Sequence, residues 1–137
     1  MTRFATVSPY LYYGEHAADA LDWLARVFGF GPSTRYVDDA GAVHEGHIMV
    51  GDTPVMVSSG SPDAGHGQGL LLIVRLDDVD AHHRSTVAAG VTADPPVDKS
   101  YGPRVYDVTD PWGYRWSFWQ DGPYVEGGAN TLREITV

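Results

Sequence analysis

The sequence carries the same order of predicted elements twice, and this internal repeat constrains the fold more than any other feature of its 137 residues. Each copy begins with a short strand, continues with an amphipathic helix that a glycine ends, and finishes with three strands. Gly29 and Gly90 stand at the two helix ends, 61 positions apart, and the same offset superimposes 43–51 on 104–112. A duplicated βαβββ unit explains this agreement better than chance does.

The first copy is predicted over residues 5–58. Before Gly29, apolar residues recur at helical spacing, at Ala17, Leu21, Leu24 and Phe28. Stretches of β-branched and aromatic residues, separated by turn sequences, predict strands at 6–13, 34–37, 43–50 and 55–58. The first copy thus contains one helix and four strands.

The second copy follows a connector, residues 59–69, in which Gly, Ser, Pro and polar residues dominate. We predict the second unit over 70–120, with a C-terminal tail at 121–137. A chain of this length makes one domain the default, so both units are assigned to a single domain over 1–120.

Within the second copy, an apolar strand is predicted at 70–76 and a helix at 79–89, with Asp77 or Asp78 as its N-cap. Two copies give eight strands and two helices, an α+β fold in which a helix covers one face of each four-stranded sheet. Two curved sheets would enclose a cup suited to a small molecule. The alternative is a ferredoxin-like or other α+β sandwich with both sheet faces filled.

The charge balance excludes several classes of partner. With 9 Lys and Arg against 18 Asp and Glu, the formal charge of −9 would repel a nucleic acid. There is no cysteine to form a disulfide or to bind zinc, so any metal would need His, Asp or Glu. The first 13 residues lack the pattern of a signal peptide, and no stretch is long enough to span a bilayer. We therefore expect a cytoplasmic protein with no membrane partner.

Short motifs in both copies occur in a characteristic order. The first copy opens with Tyr10-Leu11-Tyr12-Tyr13, and its helix ends in Val27-Phe28-Gly29-Phe30. The second copy has Asp77-Asp78-Val79 and later Asp110-Pro111-Trp112-Gly113. Together they resemble the glyoxalase/bleomycin resistance protein/dioxygenase family, the vicinal oxygen chelate (VOC) superfamily, and particularly its PhnB-like branch. The resemblance implies the cup-shaped fold, a small-molecule ligand and a homodimer, but no single reaction, because this scaffold hosts many chemistries.

The resemblance also implies where a metal would be held. Metal-binding members use His, Glu or Gln at four strand positions, which correspond here to Pro9, Met56, Leu71 and Ser117. None of these side chains is a plausible ligand, so we predict that the usual metal site is missing and that no cofactor is bound. One divalent metal such as Zn, Fe, Mn or Ni remains the alternative.

Strand alternation selects the candidate catalytic residues. If Ser117 faces the cup, Arg115 and Trp119 do so too, and an even-length turn at 110–113 would place Tyr106 and Val108 on the same side. The offset of 61 then points Glu45 and His47 inward. This pair is the candidate catalytic pair, acting as a hydrogen-bonded acid and base or as metal contacts. The alternative is a polar pair at the cup rim with no chemical role.

The remaining candidates are assigned to ligand binding or to the core. The predicted ligand-binding set is Tyr13, Met56, Tyr101, Arg104, Tyr106, Arg115, Ser117 and Trp119. By contrast, Tyr12, Trp23, Trp116 and Phe118 are predicted to fill the core between sheet and helix. The loop at 95–104 carries Tyr101 and Arg104 and is either a flap over a ligand or a rigid crossover.

Two functions remain open. The first is a protein that binds and sequesters a small, partly aromatic molecule, which the 12% aromatic content and the missing metal ligands favour. The second is a VOC enzyme of the lyase, isomerase or dioxygenase type, which is metal-dependent or uses Glu45 and His47.

Overall fold

The computed structural model describes residues 1–61, 68–123 and 133–137, and the chain divides into two compact units, Met1–Gln68 and Gly69–Val137. Over the described residues, each unit contains one α-helix and one four-stranded mixed sheet. The α+β fold of two βαβββ units is therefore confirmed. The boundary between the units lies in the predicted connector, of which 62–67 are outside the described residues.

The first unit follows the predicted order. Its elements are β1 (Tyr10–Tyr12), a short 3-10 turn (Gly14–His16), α1 (Ala17–Phe28), β2 (Ser33–Val37), β3 (Val43–Val50) and β4 (Thr53–Ser58). The strand order in the sheet is β1-β4-β3-β2, with β1 parallel to β4 and the other pairs antiparallel. The strand predicted at 6–13 is shortened to three residues, Tyr10–Tyr12, which are in register with Met56–Ser58 of β4.

Helix α1 buries the apolar stripe that the sequence predicts. Its buried residues are Ala17, Ala20, Leu21, Leu24, Val27 and Phe28. Gly29 has a φ of 76° and its N–H donates to the carbonyl of Ala25, which ends the helix at a residue that tolerates the left-handed region.

Helix α1 approaches β3 closely at Gly46. A Cβ at this position would lie 2.6 Å from the carbonyl oxygen of Thr34 and 2.9 Å from Cδ1 of Leu21. The missing side chain therefore lets Leu21 pack directly against the sheet.

The second unit repeats this arrangement. Its elements are β5 (Leu72–Arg75), α2 (Val79–Ala88), β6 (Val97–Asp98), β7 (Arg104–Thr109) and β8 (Arg115–Gln120), in the sheet order β5-β8-β7-β6. Asp78 caps α2 by accepting a hydrogen bond from the N–H of Ala81. The N–H of Val79 donates to the side-chain carbonyl of Gln120, which ties the start of the helix to the last strand.

The same side-chain turn closes one hairpin in each unit. Oδ1 of Asp38 accepts hydrogen bonds from the N–H groups two and four residues later, at Ala40 and Ala42. Oδ1 of Asp110 does the same with Trp112 and Tyr114. The two carboxylates differ in burial, since Asp38 is exposed whereas Asp110 is only 3% exposed.

The Asp38 turn gives a pH-dependent prediction. A hydrogen bond from Nε2 of His44 and the backbone N–H of Ala42 lower the pKa of the Asp38 carboxyl from its usual 3.8. Because the folded pKa is depressed, the stabilisation of this hairpin is present above pH 3.8 and is lost as the pH falls through the folded pKa. Carbon NMR of the Asp38 carboxyl should give a midpoint below 3.8, which rises in His44→Ala. A midpoint at or above 3.8 in the unmodified chain would contradict this assignment.

Candidate ligand-binding faces

The face of the first sheet that points away from α1 carries polar and aromatic side chains. The strand register aligns two rows on this first distal face: Thr34, His47, Met56 and Tyr10 in one, and Tyr36, Glu45, Ser58 and Tyr12 in the other. The opposite face carries Leu11, Ile48 and Val57, which are buried beneath α1. Side chains two residues apart on a strand share a face, which is why the two faces differ so sharply.

Glu45 and His47 both lie on the first distal face and are half-buried. His47 is directly opposite Met56, and its ring centroid is 6.2 Å from that of Tyr36. In the part of the chain that the structure describes, the Glu45 carboxylate and the His47 imidazole are not hydrogen bonded to each other. The orienting contact that an acid-base pair would use is thus not formed, and the catalytic assignment stays a prediction.

Tyr12 is on the first distal face rather than in the core, so the core assignment is wrong. Its ring makes an edge contact with Tyr10, at 5.2 Å between centroids, and packs over Gly60. Leu11 faces α1. Because neighbouring residues on a strand point to opposite faces, Tyr10 and Tyr12 lie on the other side of the sheet. Tyr13 follows β1 and is 4% exposed, so its ring offers a ligand little free surface.

The second distal face, remote from α2, includes Arg115, Ser117 and Trp119 of β8. The register adds the side chains opposite them and on β5, namely Ile73, Arg75, Val105, Asp107 and Thr109. Arg115 and Asp107 are exposed, whereas Ser117 is 2% exposed.

Tyr106 and Val108 face α2, so their predicted placement beside Ser117 is wrong. The register pairs Tyr106 with Phe118 and Val108 with Trp116, both buried beneath α2. The reason is the turn: β7 and β8 are joined through the pair Thr109 and Arg115, which leaves five intervening residues instead of four. An odd-length connection exchanges the two faces of the incoming strand.

The Tyr106 side chain is engaged by α2. Its ring stacks on Phe118 with centroids 5.1 Å apart, and its hydroxyl is hydrogen bonded to Thr86 and to Nδ1 of His82. Burial raises the pKa of Tyr106 to about 12 despite the opposing hydrogen bond with Thr86. Tyr106 therefore stabilises the contact between the second sheet and α2. Because it does not share a face with Ser117, the reason for assigning it to ligand binding no longer holds.

Arg104 also points to the α2 side. Its guanidinium makes two 3.0 Å hydrogen bonds to the carboxylate of Asp80 and one of 3.1 Å to Asp98. The hydrogen bonds to Asp80 and then Asp98 raise the pKa of Arg104 above its usual range, and the same guanidinium lowers the pKa of Asp80. Arg104 thus joins α2 to β6 within the second unit, and the strand parity does not place it on the distal face.

Trp119 has three polar or aromatic neighbours on the second distal face. Its Nε1 donates a 2.8 Å hydrogen bond to Oγ of Ser117. The guanidinium carbon of Arg75 is 5.8 Å from the ring centroid, and the ring of Tyr101 lies 6.1 Å away at a tilt of 50°. The sequence did not identify four residues of the distal faces, namely Arg75, Tyr10, Tyr12 and Tyr36. Strand alternation around Leu11 could have identified Tyr10 and Tyr12.

Among the described residues, no set of donor atoms matches the metal site that the resemblance implies. Within residues 1–61, 68–123 and 133–137, there is no group of three or more His, Cys, Asp or Glu side chains that could hold an ion. Of the four positions that the resemblance implies, Ser117 offers a hydroxyl that already accepts the indole N–H, and Pro9, Met56 and Leu71 lack the hard oxygen or imidazole donors required.

Comparison with known proteins places the chain in a family. The model of the Glyoxalase/Bleomycin resistance protein/Dioxygenase superfamily matches residues 6–118. The chain belongs to this superfamily. Its PhnB-like branch stays a prediction, and no curated protein matches the sequence.

Solved VOC structures share the fold of this VOC chain. TioX from Micromonospora sp. ML1 is 32% identical, with 85% of this chain and 99% of TioX covered and a TM-score of 0.70. The bleomycin-binding protein of Streptomyces verticillus, solved with copper(II)-bleomycin, is 21% identical over 89% of this chain and 99% of its own, with a TM-score of 0.64. A bleomycin resistance determinant encoded on the transposon Tn5 is 17% identical over 86% and 98%, also with a TM-score of 0.64.

The helices of this VOC chain are short. Neither α1 nor α2 has the length and apolar character required to cross a bilayer, and the described residues contain no other candidate.

Proposed function

We propose that the chain binds a small, partly aromatic molecule without transforming it. The observation that carries this proposal is the chemistry of the two distal faces, where aromatic rings stand beside polar groups and no metal-holding set occurs among the described residues. Rings of this kind bind flat or cationic groups through stacking and cation–π contacts. The bleomycin-binding neighbours support the class of ligand, since they join the same fold to small-molecule binding.

The position of Glu45 indicates the charge of the guest. This carboxylate stands in one row with Tyr36, Ser58 and Tyr12 on the first distal face. A carboxylate among aromatic rings favours an ammonium or amidinium group over an anion.

Titration tests the proposal directly. Bleomycin, ethidium and the non-aromatic cation spermine are titrated by calorimetry, and the two aromatic guests should give saturable binding and be recovered with unchanged mass. Glu45→Gln should weaken their binding about fivefold through the lost charge-assisted contact. Glu15→Gln, at a carboxylate that is 87% exposed and belongs to no strand, should leave it unchanged. Flat titrations for every aromatic guest would contradict the proposal.

Glu45 and His47 sharing one face is the observation that favours the second candidate, a VOC enzyme. Elemental analysis of protein purified without chelator separates the two candidates. Near-stoichiometric Zn, Fe, Mn or Ni would favour the enzyme. Glu45 and His47 would then be two ligands of a metal site whose third ligand lies outside the described residues.

We also propose that the chain forms a homodimer. Phe4, Val7, Leu71 and Ile73 are exposed apolar residues, which an interface would cover. Light scattering at micromolar concentration should therefore give twice the monomer mass of 14.9 kDa, and a monomer mass would contradict the proposal. The cytoplasmic location stays a prediction.

A further inference from the structure

The indole ring of Trp119 is held at its nitrogen by a buried acceptor. Nε1 donates to Oγ of Ser117 at 2.8 Å, and this serine is 2% exposed while Trp119 itself is half-buried. Rotation of the ring would break this hydrogen bond, and a broken hydrogen bond at a buried hydroxyl costs free energy because water cannot replace the lost partner. The hydrogen bond thus fixes the nitrogen edge of the Trp119 indole, and the rest of the ring lies on the second distal face.

The other neighbours of Trp119 come from two further segments. Arg75 of β5 lies over the ring and pairs with Asp121 at 3.5 Å, and Tyr101 approaches from the turn between β6 and β7. This turn is closed by hydrogen bonds from Lys99 N–H to the Pro103 carbonyl and from Gly102 N–H to the Lys99 carbonyl. Tyr101 is therefore carried by a hydrogen-bonded turn, and the residue is 38% exposed.

We propose that Ser117 is a positioning residue that holds the Trp119 indole in the orientation that stacks against a flat aromatic ring of the guest. Ser117 stands where the resemblance implies a metal-binding glutamate, and its hydroxyl accepts the indole N–H of Trp119 instead. The inference rests on the proposed small-molecule binding and names the group of the guest that the second distal face accepts.

The probes are 2-naphthol and its saturated counterpart decahydro-2-naphthol, which share a hydroxyl group but differ in aromaticity. The full chain should bind 2-naphthol at least about tenfold more tightly than the saturated alcohol, because only the flat ring can stack. Trp119→Leu should remove this preference. Nitrogen-proton NMR spectra follow the four indole N–H signals during both titrations, and the signal lost in Trp119→Phe identifies Trp119.

Variants at Ser117 separate positioning from general support of the fold. Ser117→Ala should shift the Trp119 indole N–H signal and weaken 2-naphthol about fivefold, the value of one lost hydrogen bond. Ser117→Thr keeps a hydroxyl and should restore affinity to within about twofold. Ser85→Ala, at an exposed serine of α2, is the matched control and should change neither signal nor affinity. Circular dichroism confirms that each variant is folded.

A double-mutant cycle completes the test. If Ser117 acts through Trp119, adding Ser117→Ala to Trp119→Leu should not weaken 2-naphthol further. An equal fivefold loss in both backgrounds, or unchanged affinity in Ser117→Ala alone, would overturn the positioning role while leaving small-molecule binding intact. A wild-type chain that binds neither probe, or both equally, would also overturn it, and the titrations with bleomycin and ethidium then decide the proposed function separately.

Discussion

Asp110→Ala should cost about 3 kcal/mol of the free energy of unfolding. The carboxylate accepts hydrogen bonds from the backbone N–H groups of Trp112 and Tyr114 and from Nε1 of Trp116. Trp116 is 1% exposed, so its indole N–H would lose its carboxylate acceptor in a place that water does not reach. Urea denaturation, followed by circular dichroism, measures the change.

Asp38→Ala is the matched control for this prediction. Asp38→Ala also removes the hydrogen bonds from the backbone N–H groups two and four residues later. These groups lie in an exposed turn, where water replaces the carboxylate. The variant removes the hydrogen bond with His44 as well, so the difference between the two variants compares burial and the Trp116 contact at Asp110 with an exposed His44 contact at Asp38. An Asp110→Ala variant no less stable than Asp38→Ala would refute the assigned role of the buried carboxylate.

Gly46→Ala should destabilise the first unit by about 1–3 kcal/mol, the range typical of overpacking. The added methyl group would lie 2.6 Å from the Thr34 carbonyl oxygen and 2.9 Å from the Leu21 side chain, so α1 or β2 has to shift. Thermal and urea denaturation measure the loss, and Gly46→Val should be worse because its side chain is larger.

A second substitution tests whether the contact with α1 causes this loss. Leu21→Ala removes one of the two clashing groups at its own cost as a buried residue. The double variant Gly46→Ala/Leu21→Ala should be more stable than the two separate losses predict, because the new methyl group occupies part of the space that Leu21 vacates. Strict additivity would show that the strain lies in β2 alone.

Local patterns predicted the elements of this fold well. The spacing of Leu21, Leu24 and Phe28 and the following Gly29 defined α1, and the predicted strand at 43–50 has the bounds observed for β3. These features depend on residues within a few positions of each other. The first strand was predicted too long because its length is set by pairing with β4, a partner more than 40 residues away.

The faces of the strands could not be predicted with the same success. Placing Tyr106 beside Ser117 required the length of the 110–114 turn, which is closed by a hydrogen bond from the Asp110 N–H to the Tyr114 carbonyl. One additional residue in such a turn moves every following side chain to the other face. Glu45 and His47 still lie on a distal face, opposite Ser58 and Met56, so the offset of 61 does not align them with residues of the same orientation in the second unit.

The backbone contact at Gly102 bears on where this chain can be shortened. A Cβ at Gly102 would be 2.4 Å from the carbonyl oxygen of Pro123, so the peptide after β8 runs directly against the turn that carries Tyr101. The family match ends at 118, before this contact. A truncation drawn at the family boundary would remove a neighbour of that turn, and recombinant versions intended for ligand screening should extend past Pro123.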